Sequence, residues 1–123
     1  MNILLLTAAL LCFFVGIAHS VLGEKYVLGK IAGANLRLRG DTVFMQRIVS
    51  LAWHVTSLLL IGFGVVLLNM AFGLHALFTD KAIVGWTFLV AAVMSLIWVR
   101  GRHPSWLIFG AIALLVFVSG PKA

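Results

Sequence analysis

Four long apolar runs alternate with polar connections along the chain. The runs cover residues 3–22, 48–72, 82–99 and 105–119, and the first three reach the length of about 17–25 residues that crosses a bilayer as an α-helix. The fourth run is short, so its ends are expected in the membrane interface or in a locally thinned bilayer. The pattern predicts an all-α membrane protein, an antiparallel bundle of four transmembrane helices that forms one integral membrane domain over residues 1–123.

The connections between the apolar runs differ in length. Residues 73–81 and 100–104 are short links, which favour antiparallel neighbours. Residues 23–47 are longer, and helix two is expected to begin near Asp41 or Thr42, before the membrane boundary. In the first part of this connection apolar side chains interleave with two lysines: Lys25, Tyr26, Val27, Leu28, Lys30 and Ile31. This composition predicts a short amphipathic segment over residues 24–34, lying on the membrane surface between helices one and two.

Composition supports the membrane assignment. Hydrophobic residues make up 63% of the chain and charged residues only 10%, whereas a soluble domain has about 45–50% and about 25%. The net charge of +6 does not indicate nucleic-acid binding, because the basic residues flank the apolar runs. No lysine or arginine precedes the first run, which is therefore expected to be a transmembrane helix and not a cleaved signal peptide.

The distribution of basic residues predicts the topology. Seven of the nine lie in or beside the first and third connections, and only Lys81 and Lys122 lie on the other side. The seven are Lys25, Lys30, Arg37, Arg39, Arg47, Arg100 and Arg102. Positively charged loops stay in the cytoplasm, so both termini are expected on the outer side of the membrane.

Histidines gather at the cytoplasmic end of the predicted bundle. His19 lies near the end of helix one, His54 lies near the start of helix two, and His103 precedes helix four, whereas His75 falls on the opposite side. Residues at helical spacing from His19 and His54 are mostly small: Ala9, Cys12, Gly16, Ser50, Ser57 and Gly64. Small residues mark helix–helix contacts in membranes, so both imidazoles are expected to point inward and to approach each other.

Three chemistries are open to inward histidines. His19, His54 and His103 with Glu24 form a plausible ligand set for a transition metal. His19 and His54 alone could instead provide the two axial ligands of haem b. The third possibility is a polar network without a cofactor.

Glu24 has to turn toward the histidines if it is to join the site. It is five residues from His19, which places the two about 140° apart on a regular α-helix. We expect Gly23 to end the helix and release Glu24, because glycine is the usual residue after a helix C-terminus. Ser20 shares a helix face with Glu24 and is expected to hydrogen-bond its carboxylate.

The stretches "AHSVLGE" and "RIVSLAWHVTSL" resemble a group of small uncharacterised bacterial inner-membrane proteins. These four-helix proteins carry an H-S-x-L-G-E signature in helix one and an A-W-H signature in helix two. The resemblance implies a bacterial inner membrane, whose outer side is the periplasm, and the distribution of basic residues is what places both termini there. The resemblance also implies that one site contains His19, Ser20, Gly23, Glu24, Trp53 and His54.

The sequence predicts a small integral membrane protein with a polar His/Glu site at the cytoplasmic end of the bundle. In one interpretation this site binds a metal ion or haem. Alternatives are an accessory subunit of a larger membrane complex and a small transporter that acts as an oligomer. An enzyme acting on lipids or quinones would use His54 as the base and Glu24 as its partner, but no nucleophile motif supports it. The expected partners are the lipid bilayer and either further copies of the chain or a larger complex, with no nucleic acid.

Overall fold

Helices account for nearly all of the chain that the computed structural model describes, which comprises residues 1–33, 42–74 and 79–119. No strand occurs in these ranges. The elements in order are α1 (Ile3–Leu22), a π-helical segment (Gly23–Leu28), α2 (Gly29–Gly33), α3 (Thr42–Phe72), α4 (Asp80–Trp98) and α5 (Ser105–Val118). The all-α prediction is confirmed, and the second predicted helix, α3, begins near the expected residue; Asp41 lies outside the described residues.

Three of these helical runs are long and apolar enough to cross a membrane. They are Ile3–Gly33, Thr42–Phe72 and Asp80–Trp98, judged by length and composition. The fourth, α5, has 14 residues and a length of about 21 Å, which is less than the roughly 30 Å of a bilayer's hydrocarbon core. The structure therefore agrees with three candidate spans and one shorter apolar helix.

Polar and glycine residues define the helix ends. The Asn2 side chain accepts hydrogen bonds from the Leu4 and Leu5 amides at 3.1 and 3.3 Å, which caps α1. Thr79 caps α4 in the same way through the Ala82 amide. Gly73 after α3 and Gly101 after α4 have φ of 67° and 72°, a backbone region that favours glycine, and there the chain turns back.

The helices pack in chain order, each antiparallel to the next. Asn2 contacts Ala71 across α1 and α3, whereas Ser20 contacts His54 at the other end of the same pair. The described part shows α1 packed mainly on α3, α3 on α4, and α4 on α5, with no extensive contact between α1 and either α4 or α5. The four helices therefore form an open bundle.

Small residues allow α1 and α3 to approach closely. A Cβ atom on Gly16 would lie 3.1 Å from the Ser57 carbonyl oxygen, and one on Gly64 would lie 2.8 Å from the Phe13 ring. Ala9 is fully buried in the same contact. The prediction that the small-residue stripes form the interface between these two helices is confirmed.

The predicted break at Gly23 is wrong. Gly23 has φ −61° and ψ −47°, which is ordinary right-handed helix, and the helical run continues from Ile3 to Gly33. Residues 24–33 are thus helical but directly continue α1, and their position on the membrane surface stays a prediction. A glycine is required at this position because the Trp53 side chain occupies the space of a Cβ atom, as the candidate site shows.

Candidate functional site

Two hydrogen bonds cross between α1 and α3 at the end where α3 begins. Ser20 Oγ lies 2.7 Å from His54 Nδ1, and His19 Nδ1 lies 2.9 Å from Ser57 Oγ. Each helix thus contributes one histidine and one serine, and each histidine pairs with the serine of the other helix. His19 and His54 both reach the interface as predicted, but serines connect them to the opposite helix.

Glu24 joins the site from the helix face that it shares with Ser20, but both side chains bond His54, whereas a direct hydrogen bond between Ser20 and Glu24 was expected. Glu24 Oε2 lies 3.0 Å from His54 Nε2, so the imidazole is held between Ser20 and Glu24. Because Ser20 and Glu24 are four residues apart, they project from one face of the helical run. The π-helical segment begins immediately before Glu24, and the Gly29 amide donates to the Glu24 carbonyl five residues earlier. Such segments often accompany functional sites.

The directions of these hydrogen bonds follow from the donor and acceptor chemistry. An ionised Glu24 only accepts, so His54 Nε2 donates to it. In a neutral imidazole Nδ1 is then the acceptor, and the Ser20 hydroxyl donates to it. If His54 gains a proton, both ring nitrogens donate and the Ser20 hydroxyl rotates to accept. The arrangement accommodates both protonation states without moving a heavy atom.

The chain of hydrogen bonds runs from a partly buried group to an exposed one. The side chain of His54 is 17% exposed and that of Glu24 is 64% exposed. Ser20 is half-buried at the inner end. His54 therefore separates an accessible carboxylate from a hydroxyl that lies deeper between the helices.

Trp53 forms the second half of the site. Its indole stacks on the His19 ring with centroids 4.4 Å apart and planes 4° from parallel, and its Nε1 donates to the His19 carbonyl at 2.8 Å. A Cβ on Gly23 would lie 1.8 Å from that Nε1. Only glycine leaves room for the indole there. The partner of Trp53 is therefore α1.

Trp98 and Ser50 extend the site to α4. Trp98 Nε1 donates to Ser50 Oγ at 3.3 Å, and the Trp98 ring lies 5.8 Å from the His54 ring. The signal that could have found this contact is the position of Ser50, four residues before His54 on the same face.

His103 does not join the other histidines, contrary to the metal-ligand set proposed from the sequence. Its Nδ1 accepts a hydrogen bond from the Ser105 amide at 3.2 Å, a local contact at the start of α5. Within the described residues no three histidine, cysteine, aspartate or glutamate side chains are grouped to hold a metal ion. His75 lies outside those residues.

The arrangement does not fit a haem either. Both ring nitrogens of His54 hydrogen-bond protein side chains, so an axial bond to iron would first have to displace Ser20 or Glu24. The His19 ring is stacked on Trp53 and bonded to Ser57. The structure thus favours the third possibility, a polar network.

A groove leads from this network along the helices. It has a volume of about 370 Å³, and its polar lining side chains are Ser20, His54 and Ser57. The remaining walls are largely apolar and include Ile17, Ile61 and Met94. An adjoining opening, lined by Ser20, Val21, Glu24, Lys25 and His54, continues to the charged end. The network therefore lies where an apolar groove meets an accessible polar edge.

Comparisons of the chain with protein-family models, with curated proteins and with solved structures give no match. The geometry of Ser20, His54 and Glu24 is therefore the basis for proposing a function.

Proposed function

We propose that this chain is an integral membrane protein that binds the head group of a lipid-soluble ligand and exchanges a proton with it through His54. In this proposal the ligand's alkyl part lies along the apolar groove, and its polar head reaches Ser20 and His54. Glu24 connects the imidazole to water at the end of the bundle.

The observation that carries the proposal is the continuous hydrogen-bond chain from Ser20 through His54 to Glu24, at 2.7 and 3.0 Å. An imidazole can both donate and accept a proton, so His54 is suited to pass protons between two hydrogen-bonded groups. Polar and ionisable side chains at membrane depth are costly and are commonly functional. A network that tolerates both states of the imidazole meets the requirement for proton exchange.

The chemistry of the lining residues selects a neutral, hydroxyl-bearing head group. No described lysine or arginine lines this groove, so nothing there offsets the repulsion between the nearby Glu24 carboxylate and a carboxylate or phosphate head group. Ser20 and His54 can each donate or accept, so they can bind a hydroxyl. The groove walls match an alkyl or prenyl chain. A long-chain alcohol or a lipid-soluble phenol has this combination of groups.

Trp98 provides a direct measurement of ligand binding, because it lines the groove. We would reconstitute the protein in nanodiscs and titrate a brominated long-chain alcohol, whose bromine quenches tryptophan fluorescence. The matched probe is the carboxylate of the same chain length. We expect the alcohol to quench at the lower concentration, and we expect Trp98→Phe to remove most of the difference.

His54→Ala should abolish the preference for the alcohol. Thr56→Ala is a matched control, because the Thr56 hydroxyl donates only to the Ala52 carbonyl on its own helix. Equal quenching by the alcohol and the carboxylate in the unmodified protein would refute the proposed head-group selectivity. The same conclusion would follow if His54→Ala retained the preference.

Ester hydrolysis is a second candidate, favoured by the contact between Ser20 Oγ and His54. In that reaction Ser20 Oγ attacks the ester carbonyl while His54 takes its proton, the alcohol leaves with that proton, and water releases the acid. The order Ser–His–Glu is that of a hydrolytic triad. However, Ser20 lies inside the continuous helical run Ile3–Gly33, where backbone N–H groups already donate to helix carbonyls. This arrangement favours binding and proton exchange, and labelling of Ser20 by a fluorophosphonate would support hydrolysis instead.

We further propose that the protein resides in a bacterial inner membrane with both termini periplasmic. The support is the seven-to-two distribution of basic residues between the two sides. Association with further copies or with a larger complex is supported by the open bundle, in which the outer faces of α1 and α5 are apolar and exposed. An accessory subunit or an oligomeric transporter would use these faces, and crosslinking in native membranes would detect either assembly.

A further inference from the structure

A second groove lies beside the network, between the helical segment after α1, the start of α3 and the end of α4. Its volume is about 300 Å³. Leu28, Ile31 and Val43 contribute apolar wall, and Gln46, Arg47 and Ser50 contribute polar groups from consecutive turns of α3. Like the first groove, it combines apolar walls with a polar end, but here the polar end contains a cation.

Two hydrogen bonds fix the walls of this groove. Gln46 Nε2 donates to the Ala32 carbonyl at 3.3 Å, which holds α2 against α3. Trp98 Nε1 donates to Ser50 Oγ at 3.3 Å, which joins α4 to α3 on the other side. The groove is therefore defined by contacts between three elements.

Arg47 is a charged side chain that has no partner among the residues that the structure describes. It is half-buried, and no hydrogen bond or ion pair connects it to another described residue. Glu24 is the other charged side chain among the described residues that line the groove, and its carboxylate is engaged by His54 Nε2. A partly desolvated cation without a counter-ion is unfavourable, so a bound anion would stabilise this end.

We propose that this groove binds an anionic phospholipid, with its phosphate on Arg47. A guanidinium presents paired N–H donors that match phosphate oxygens. Ser50 is three residues from Arg47 on the same helix face, so its hydroxyl can donate to the same phosphate. The apolar walls favour a lipid over free phosphate, since Leu28, Ile31 and Val43 provide a surface for the acyl chains.

The charge environment agrees with this occupant. Lys25 lies on the helical segment that forms one wall, and Arg102 lies beside Phe44 near the start of α3. Basic residues near a membrane surface attract anionic lipids. The two grooves thus take different head groups, a neutral hydroxyl at Ser20 and a phosphate at Arg47.

The test compares lipid retention by native mass spectrometry after release from nanodiscs that contain equal amounts of phosphatidylglycerol and phosphatidylcholine. We expect the unmodified protein to retain phosphatidylglycerol preferentially. Arg47→Gln should weaken that retention by about tenfold or more, the effect of losing a charged hydrogen-bond donor. Lys30→Gln is the control, because Lys30 is an exposed cation on α2 that does not line the groove.

Arg47→Lys covers the case in which Arg47→Gln fails to fold. It retains the charge but loses the paired donors, so an intermediate retention is expected. Equal retention of both lipids, an unchanged Arg47→Gln variant, or an equal loss in Lys30→Gln would each overturn the proposal. Displacement of phosphatidylglycerol by millimolar inorganic phosphate would also overturn it in favour of a free-phosphate site.

Discussion

Replacing Gly23 by alanine is the sharpest test of how the site is built. The Cβ of alanine would lie 1.8 Å from Trp53 Nε1 and 2.3 Å from Trp53 Cε2. The indole is a rigid group, so it has to leave its place above the helical run. Its departure breaks the hydrogen bond from Nε1 to the His19 carbonyl and the stacking of the two rings.

The change in the free energy of unfolding caused by Gly23→Ala is the sum of opposing effects. The lost hydrogen bond and the lost ring contact each contribute about 0.5–1.5 kcal/mol. Crowding of a packed interface contributes about 1–3 kcal/mol. Against these, alanine stabilises a helix by about 0.5–1 kcal/mol relative to glycine. We expect Gly23→Ala to lower the free energy of unfolding by about 3 kcal/mol, well above the intrinsic helix effect.

Unfolding of Gly23→Ala can be measured by titrating mixed micelles with sodium dodecyl sulfate and following helix content by circular dichroism. Gly29→Ala is the matched control, because its Cβ would meet only the Glu24 carbonyl at 3.6 Å, an ordinary contact. This control should be neutral or stabilising. In a Trp53→Ala background the obstacle is gone, so Gly23→Ala should lose its cost. An equal cost in both backgrounds would show that the indole is not the reason for the glycine.

Two further predictions concern the network and the topology. His54→Ala should lower stability by about 1–3 kcal/mol and Glu24→Gln by less than about 1, because Glu24 is largely exposed. The double variant should be less than additive in the same unfolding assay, whereas additivity would separate the two residues. A cysteine introduced at residue 123 should react with a membrane-impermeant maleimide added from the periplasmic side; reaction from the cytoplasm alone would reverse the topology.

The sequence by itself determined the class of the protein. The apolar runs are long and contain few charges, and runs of this kind are typical of helices that satisfy their backbone hydrogen bonds internally. The stripes of small residues also identified the contact between α1 and α3, because helices approach closely only where side chains are small. Both predictions depend only on composition and on the spacing of residues along one helix, and neither requires knowledge of tertiary contacts.

The sequence also identified four members of the network but not its connections. His19, His54, Ser20 and Glu24 were recognised because antiparallel helices bring them to one depth. Which atom meets which depends on the rotation of each helix about its axis, to within a few tens of degrees. Residue spacing does not specify that rotation, and so the pairing of each histidine with the opposite serine emerged only from the packed structure.

Only the tertiary structure showed why residue 23 is glycine and where the His103 side chain lies. Glycine ends many helices, and local sequence could not show that an indole 30 residues away occupies the space of its missing side chain. His103 lies at the expected end of the bundle, but the Ser105 amide directs its ring to the start of α5. Depth along a helix is a local property that the sequence encodes directly, whereas contact between side chains depends on how distant segments pack together.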